Sequence, residues 1–319
     1  MTLLDTLRSL DYRALPLSNY SRQYIHRMLP VLDYYLLIYN RTLDRLLSAL
    51  GREPSELTLV DYGGGHGFFS LAAKKRGVGR VVYVDINPQA AEAVQAVSRA
   101  VGFGPDVVIT GDAATLRQWF SDTGVRPDAL VGMDVVEHIY RLDAFFADIF
   151  AIDPAMPVML TTGSNASNPF VVRRIRQWIS EDEYGYSGDD GYSELRRRFI
   201  REHFPEFTEG DLFINVVLTR GLTYDDIPEA VRTKRYKMDK EANTCDPRTG
   251  NWTERLLTID EYHAFLAPHS ASLRVANGYY NPYGRTLKAI LARCINPFLR
   301  RLPFLRCLAP FITLEINIP

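Results

Sequence analysis

The chain predicts an α/β fold in which a doubly wound, mostly parallel sheet carries a helical insertion, and three observations predict it. Short apolar runs closing on an acid alternate with stretches of helical periodicity. Between the first run and the helix after it, Gly63, Gly65 and Gly67 recur at every second position. A long stretch, 166–255, then separates the fifth run from the point where the pattern resumes, too long for a plain connection.

Residues 1–56 read as an N-terminal helical segment. The part up to 28 is rich in Tyr and Arg, and its Tyr20, Arg22 and Tyr24 are candidates for a lid over a ligand. From Leu32 the apolar positions Leu36, Leu43, Leu46 and Leu50 keep helical spacing until Gly51, placed as a C-terminal cap. This helix is expected to pack on the sheet.

Residues 57–165 read as the core. Leu57 to Asp61 is the first strand, and the glycines after it form a tight turn into the helix that begins near Phe68. A dinucleotide turn of the form G-x-G-x-x-G is rejected, because Phe68 occupies its third glycine position. Val81 to Asp85 is the second strand, and Asn87 caps the next helix with Pro88 in its first turn. Val107 to Thr110 closes on Gly111-Asp112-Ala113, and Ala129 to Met133 runs into Asp134-Val135-Val136-Glu137-His138-Ile139. Pro157 to Thr161 opens into Thr162-Gly163-Ser164-Asn165. The carboxyl ends of such strands form the edge where ligands bind.

Helices are expected from Asn168-Pro169 through Ile179, then near 193–204, 209–220 and 224–235. Over the binding edge, 166–255 reads as a helical substrate cap, the alternative being a plain insertion or dimer arm. Residues 256–319 complete the sheet. Thr258 to Glu261 is a capping box, 272–278 a sixth strand and 311–318 a last strand. Between those strands, Arg285, Lys288, Arg293, Arg300, Arg301 and Arg306 interleave with Leu287, Ile290, Leu291 and Phe298, with no acid. The segment 285–310 is either a helical pair packed on the sheet with a solvated rim, or a surface for a membrane or lipid-linked substrate.

The run Asp61-x-Gly63-x-Gly65-x-Gly67 resembles the first motif of the class I S-adenosylmethionine-dependent methyltransferases, and the acids Asp85, Asp112 and Asp134 follow in the order of that family's remaining cofactor motifs. Asp134 to Ile139 is similar to the branch that includes ubiquinone-biosynthesis O-methyltransferases and many small-molecule methyltransferases. The resemblance covers residues ~57 to ~162. It implies a Rossmann-like, seven-stranded sheet whose last strand is antiparallel, with S-adenosylmethionine as cofactor and S-adenosylhomocysteine as product. This chain departs from the pattern by inserting a segment into the final hairpin. The resemblance assigns Asp61, Gly63, Gly64, Gly65 and Gly67 to the methionine end, Asp85 to the ribose and Asp112 to the adenine. Tyr62, Phe68, Ile86, Ala113 and Asp134 are further cofactor-binding candidates, and Asp134 is also a catalytic candidate.

Methyl transfer to a hydroxyl requires a base, and His138, beside Asp134, is the candidate; pinning its own turn is the competing role. His66 reads as a turn filler beside the methionine end. The set Asp134, Glu137 and His138 repeats a metal-associated pattern of the ubiquinone branch with Asp for its first Glu, and no metal is assigned. Substrate candidates are Asn165, Trp252, Glu254, Arg255, Tyr279, Tyr280 and Asn281. Trp252 serves equally as a stacking wall or as a buried anchor.

A formal charge of −1 leaves no broad electrostatic footprint for nucleic acid. Cys245, Cys294 and Cys307 have neither metal-ligand spacing nor an even framework. The expectation is a cytoplasmic enzyme, peripheral to the inner membrane face if the basic segment meets lipid. Its expected activity is methylation of a small-molecule hydroxyl on a sugar, natural product or lipid-linked intermediate. N-methylation and a non-catalytic cofactor-binding scaffold are the alternatives.

Overall fold

The computed structural model describes residues 2–186, 188, 190–236 and 242–318. Its N-terminal helices are α1 (Leu3–Ser9), α2 (Asn19–Met28) and α3 (Leu32–Leu50). Strand and helix then alternate through β1 (Thr58–Tyr62), α4 (Phe68–Lys75), β2 (Arg80–Asp85), α5 (Pro88–Val101), β3 (Val107–Thr110), α6 (Ala113–Thr123), β4 (Ala129–Met133), α7 (Leu142–Ile152) and β5 (Val158–Thr162). Four helices follow, α8 (Pro169–Tyr184), α9 (Tyr192–His203), α10 (Glu209–Leu218) and α11 (Ile227–Thr233). The chain closes with α12 (Ile259–Leu266), β6 (Leu273–Asn277), α13 (Leu287–Arg301) and β7 (Ile312–Ile316).

The seven strands lie in the order β3-β2-β1-β4-β5-β7-β6. β1 to β5 pair in parallel, and β7 runs antiparallel to both β5 and β6. Side chains alternate between the faces as the strand period requires. Leu59, Val81 and Val131 face a core shared with α1 to α5, and Val60, Val82 and Leu130 face the core under α6, α7 and α12. Nearly every inward residue of β1, β2, β4 and β5 is buried, as expected where helices cover both faces.

Local signals set the boundaries. Gly51 closes α3 with a φ of +60°, and the Asn87 side chain accepts from Gln89 N–H ahead of Pro88. Thr258 and Glu261 form the reciprocal capping box of α12. α8 runs past the expected end at Ile179 to Tyr184, supported by a Gln177–Glu181 hydrogen bond one turn apart, and stops at Gly185. The final hairpin is interrupted by α13 and a 3-10 turn, Pro303–Leu308. Two asparagines clamp that excursion to the sheet: Asn277 donates to the carbonyls of Leu299 and Leu302, and Asn165 to those of Arg306 and Ala309.

Helices α9, α10 and α11 bury a cluster of their own, with Ile200, Phe204, Leu212 and Ile227 at its centre. The Arg196 guanidinium, fully buried, donates to both carboxylate oxygens of Glu183 and to the Val216 carbonyl, and Thr244 Oγ1 donates to Glu183. The Glu183 carboxylate thus accepts from both Arg196 and Thr244 within the fold.

Candidate active site

The strand ends of β1, β2, β4 and β5 share one edge of the sheet, and two clusters of polar groups sit on it. The first surrounds the glycine turn. Gly63 and Gly64 N–H both donate to the Val84 carbonyl, tying the turn to β2. Gly65 N–H donates to Asp85 Oδ2 at 2.8 Å, and Asn87 N–H to Asp85 Oδ1 at 2.8 Å, so one carboxylate pins both turns. A Cβ on Gly64 would lie 2.6 Å from the Tyr83 ring and one on Gly67 2.0 Å from Val94. Those two glycines answer the chain's own packing. Gly65 differs: its φ is +52° and a Cβ there would meet nothing within 4 Å, which leaves bare main chain on open space.

Beneath the turn Asp61 is fully buried, receives a hydrogen bond from Ser70 Oγ, and leaves its Oδ1 without a partner. Burial pushes its carboxyl up to about 7, against the lowering effect of Ser70. His66 is 3 % exposed with neither ring nitrogen partnered, and burial holds its pKa down at about 4. Its ring stacks on Tyr24 of α2 at 4.2 Å. α2 also reaches α5, through Ser18 Oγ to Gln89 Oε1 and Ser21 Oγ to the Gln89 carbonyl. Tyr24 thus lies over the glycine turn and Tyr20 beside it. Arg22 does not join them, because its guanidinium is engaged by the carbonyls of Tyr12, Arg13 and Leu15.

The second cluster lies at the ends of β4 and β5. Asp134 has a φ of +58° and Glu254 a φ of +47°, both unusual for residues with a Cβ and a recurrent mark of functional sites. Asp134 N–H donates to the Thr161 carbonyl and hydroxyl. Gly163 N–H donates to Asp134 Oδ1 at 3.0 Å and to Glu137 Oε1 at 2.9 Å. A Cβ on Gly163 would lie 3.3 Å from Asp134 Oδ1 and 3.9 Å from Glu254 Oε2, so this glycine sits between two carboxylates. Glu254 also accepts from Ser164 Oγ.

His138 presents Nδ1 to the Trp252 carbonyl at 2.8 Å and Nε2 to Glu254 Oε1 at 3.8 Å. A carbonyl only accepts, so Nδ1 carries the proton and Nε2 faces the acid. Burial, then the charges of Asp134 and Glu254, hold the Glu137 carboxyl well above the ordinary range. Glu254 is raised by burial and then by Asp134. From α3, the Tyr35 hydroxyl is raised by burial and then by the charges of Asp134 and Glu254.

Several candidate residues have their side chains engaged elsewhere. Asn165 is fully buried and clamps the 3-10 turn. Trp252 is a buried anchor, not a wall: Nε1 donates to the Tyr140 carbonyl, and its ring packs on Gly221 and Tyr140. Arg255 stacks on that ring at 4.4 Å. Tyr62 packs on Phe145, and Phe68 is buried in the α1–α5 core. Tyr280 and Asn281 serve the connection into α13, Tyr280 OH donating to the Leu308 carbonyl and Asn281 accepting from Tyr283 N–H. Tyr279 packs against Tyr34 and Phe311 with the Arg41 guanidinium 4.4 Å from its ring. Asp112 caps α6 by accepting from Thr115 N–H and Oγ1, bonds that lower its pKa, while Ala113 is buried and Ile86 is 75 % exposed. Ser164, read from the sequence only as part of the binding edge, bonds Glu254, and Tyr35, which sequence reasoning did not name as a site candidate, is raised by the charges of the same acids. Tyr35 shares the spacing of a core helix, and only its place in the first turn of α3 hinted otherwise.

An adenosyl sulfonium fits this donor set. Asp85 offers a carboxylate for hydroxyls, Gly65 an open main chain, Ile86 an exposed apolar face, and Asp61 and His66 buried polar atoms without partners. Among the described residues no group of three or more His, Cys, Asp or Glu side chains is arranged to hold a metal ion. A cavity of about 640 Å³ between residues 10–13 and α2 lies apart from the site, since none of the motif residues lines it.

Over 87 residues the chain is 34% identical to the arginine N(omega)-methyltransferase of Streptomyces achromogenes subsp. streptozoticus. That match takes in 27% of this chain and 24% of the relative, so the chain spans about a quarter of the curated relative's length. The plantazolicin methyltransferase BpumL, solved in complex with SAH, is similar over 98% of this chain and 93% of its own, with 12% identity and a TM-score of 0.42. An S-adenosylmethionine-dependent methyltransferase from Mesorhizobium loti is similar over 85% of this chain and 94% of its own, with 13% identity and a TM-score of 0.42. The family described as "Methyltransferase domain" matches residues 34–212, from the first turn of α3 to α10, taking in the glycine turn, Asp85, Asp134, Glu137, His138 and Gly163 but neither the α2 tyrosines nor Glu254. With more than half of its length inside that match, and with the strand order and antiparallel β7 that its motifs implied, the chain belongs to the methyltransferase domain family, among the class I S-adenosylmethionine-dependent methyltransferases.

Proposed function

We propose that this chain methylates a small molecule from S-adenosylmethionine, and that the acceptor is a cationic nitrogen compound, an amine or a guanidine. One observation carries the choice of acceptor: the carboxylates of Asp134 and Glu254 flank Gly163, with Glu137 beneath them. Three acids gathered at one point repel each other, and a cation relieves that repulsion. The relative named for arginine N(omega)-methylation supports the same reading.

Bound S-adenosylmethionine supplies an electrophilic methyl group. Asp85 and the 63–67 turn hold and orient it, and Tyr20 and Tyr24 close over the turn. Asp134 and Glu254 fix the acceptor so that its nitrogen approaches in line. The nitrogen needs a free lone pair, and Glu254, whose carboxyl is made more basic by burial and by Asp134, takes the proton. His138 Nε2, 3.8 Å from Glu254 Oε1, accepts that proton in turn and, being partly exposed, releases it to solvent. Helices α8 to α11 act as the cap that excludes water, joined to the β4 end through Tyr140, whose hydroxyl bonds Asp226.

A second reading rests on His138 itself. Its Nδ1 bond to Trp252 leaves Nε2 as an acceptor facing the rim, which suits proton removal from a hydroxyl. Turnover with a panel of guanidines, amines, phenols and sugars, followed by release of S-adenosylhomocysteine, separates the two. Guanidines or amines are expected to react, and Glu254→Gln is expected to lower kcat/KM about 10- to 100-fold. Turnover confined to phenols or sugars, abolished by His138→Gln and indifferent to Glu254→Gln, would overturn the nitrogen reading. Cofactor binding without turnover of any acceptor would leave only a scaffold.

A further inference from the structure

We propose that α13 and the 3-10 turn after it form an interfacial surface that docks on an anionic lipid bilayer. A surface helix ordinarily turns its apolar stripe inward. α13 does the reverse. Toward the sheet it buries the small or polar residues Ala289, Ala292 and Asn296 together with Leu299. Away from it, Leu287 is 71 % exposed, Leu291 57 %, Phe298 59 % and Ile290 46 %. At about 100° per residue these positions fall on one side of the helix, opposite the buried ones. Phe304 of the 3-10 turn is 73 % exposed and extends the ridge. Single exposed leucines are ordinary on a protein surface, whereas a contiguous apolar ridge of this kind marks an interaction site.

Charge selects the occupant. Between Glu261 and Glu315 the sequence has no acidic residue, and exposed Lys288 and Arg301 flank the ridge, with Arg285 exposed just ahead of the helix and Arg300 exposed nearer the sheet side. Long basic side chains around an apolar face lie at headgroup level while the ridge enters the acyl boundary. A second copy of the chain would bring an identical basic rim against this one with no acid on the face to pair it, which disfavours a dimer there. The ridge is the convex side of a helix, a shape suited to a plane; peptides are bound in grooves. The surface is also fixed in place. Asn165, Asn277 and Asn296 bind the segment to the ends of β5 and β6, the Asn296 side chain exchanging two hydrogen bonds with Tyr280. Docking therefore brings the rim that carries Asp134 and Glu254 to the bilayer. This inference stands on α13 alone and does not depend on which acceptor is methylated.

The test is co-sedimentation of the full chain with phosphatidylcholine vesicles, with and without phosphatidylglycerol. Binding is expected only where phosphatidylglycerol is present, and it should fall as salt is added. Leu291→Glu with Phe298→Glu should reduce the bound fraction at least tenfold, and Lys288→Glu with Arg301→Glu roughly tenfold. Circular dichroism and S-adenosylhomocysteine affinity, both expected to be unchanged, show that each variant is folded. No binding to anionic vesicles at low salt would overturn the proposal, as would equal binding of wild type and both variants. Self-association that Leu291→Glu abolishes, in a protein that ignores vesicles, would assign the ridge to a second copy and overturn it likewise.

Discussion

Asp61 and His66 lie under the same turn and pull the pH dependence of stability in opposite directions. Asp61 has an unfolded pKa near 3.8 and a folded value of about 7. The folded state therefore holds a proton that the unfolded state has lost, and its contribution is complete below 3.8 and gone as pH rises through about 7. His66 has an unfolded value near 6.5 and a folded value of about 4. Its contribution is complete above 6.5 and is lost as pH falls through about 4. Each group changes the slope of unfolding free energy by up to about 1.4 kcal/mol per pH unit, with opposite signs. Asp61→Asn should accordingly make stability rise more steeply with pH between about 4 and 7, and His66→Phe should make it fall more steeply between about 4 and 6.5. Urea unfolding across that range reads both slopes, and parallel profiles for wild type and variants would show that neither group is shifted. At the same scale, Asp85→Ala removes the carboxylate that holds Gly65 and Asn87 and is proposed to hold the ribose. It should weaken S-adenosylhomocysteine binding by about 1–3 kcal/mol in calorimetry, the loss expected for hydrogen bonds to a charged group. An unchanged affinity would remove Asp85 from the cofactor.

Elements were legible in the sequence wherever the signal was local. The glycine turn, Gly51, Asn87-Pro88 and the Thr258 box announce themselves within a few residues, and the helices and strands they bound are present. The parallel strands followed from alternation, whereas the antiparallel β7 came only with the family resemblance. What stayed hidden depends on partners far along the chain. Asn165 turns away from the site because carbonyls 141 and 144 residues later need donors. Trp252 is buried because Gly221 and Tyr140 make room for it. The pattern of α13 gives an apolar stripe but not the side to which it turns, and small Ala289 and Ala292 face inward because they allow close approach to the sheet. Helices α8 and α9 show the same limit, since Glu183 and Arg196 look like solvated charges until they are found buried together. Arg196→Met leaves the Glu183 carboxylate buried with only part of its support and should cost about 3–5 kcal/mol in thermal unfolding. Replacing both residues with apolar ones of similar volume should restore most of that loss. A single-variant cost under about 1 kcal/mol would mean the pair contributes no more than a surface ion pair does.

Across the whole molecule, the buried residues fall into units of unequal support. The sheet is packed on both faces, and its central strands are almost wholly inaccessible. Helices α9 to α11 rely on a smaller cluster that shares no residue with either face of the sheet. Beyond the buried Glu183–Arg196 pair that fastens α9 to α8, their ties to the core are polar, chiefly Tyr140 with Asp226 and Thr223, and the Trp252 strut between Tyr140 and Gly221. A unit joined in this way can open without exposing the sheet, because the apolar surface it uncovers is largely its own. The cap proposed for this unit, admitting and releasing an acceptor, requires that property. Native-state hydrogen exchange should therefore find the amides of α9, α10 and α11 exchanging through a common opening, with a lower free energy than those of β1, β4 and β5. Trp252→Ala, by removing the strut, should lower the helical value while leaving that of β1 in place. Convergence of all these amides on one global value would show that the helical unit and the sheet unfold together, and that any cap motion has to come from α2 instead.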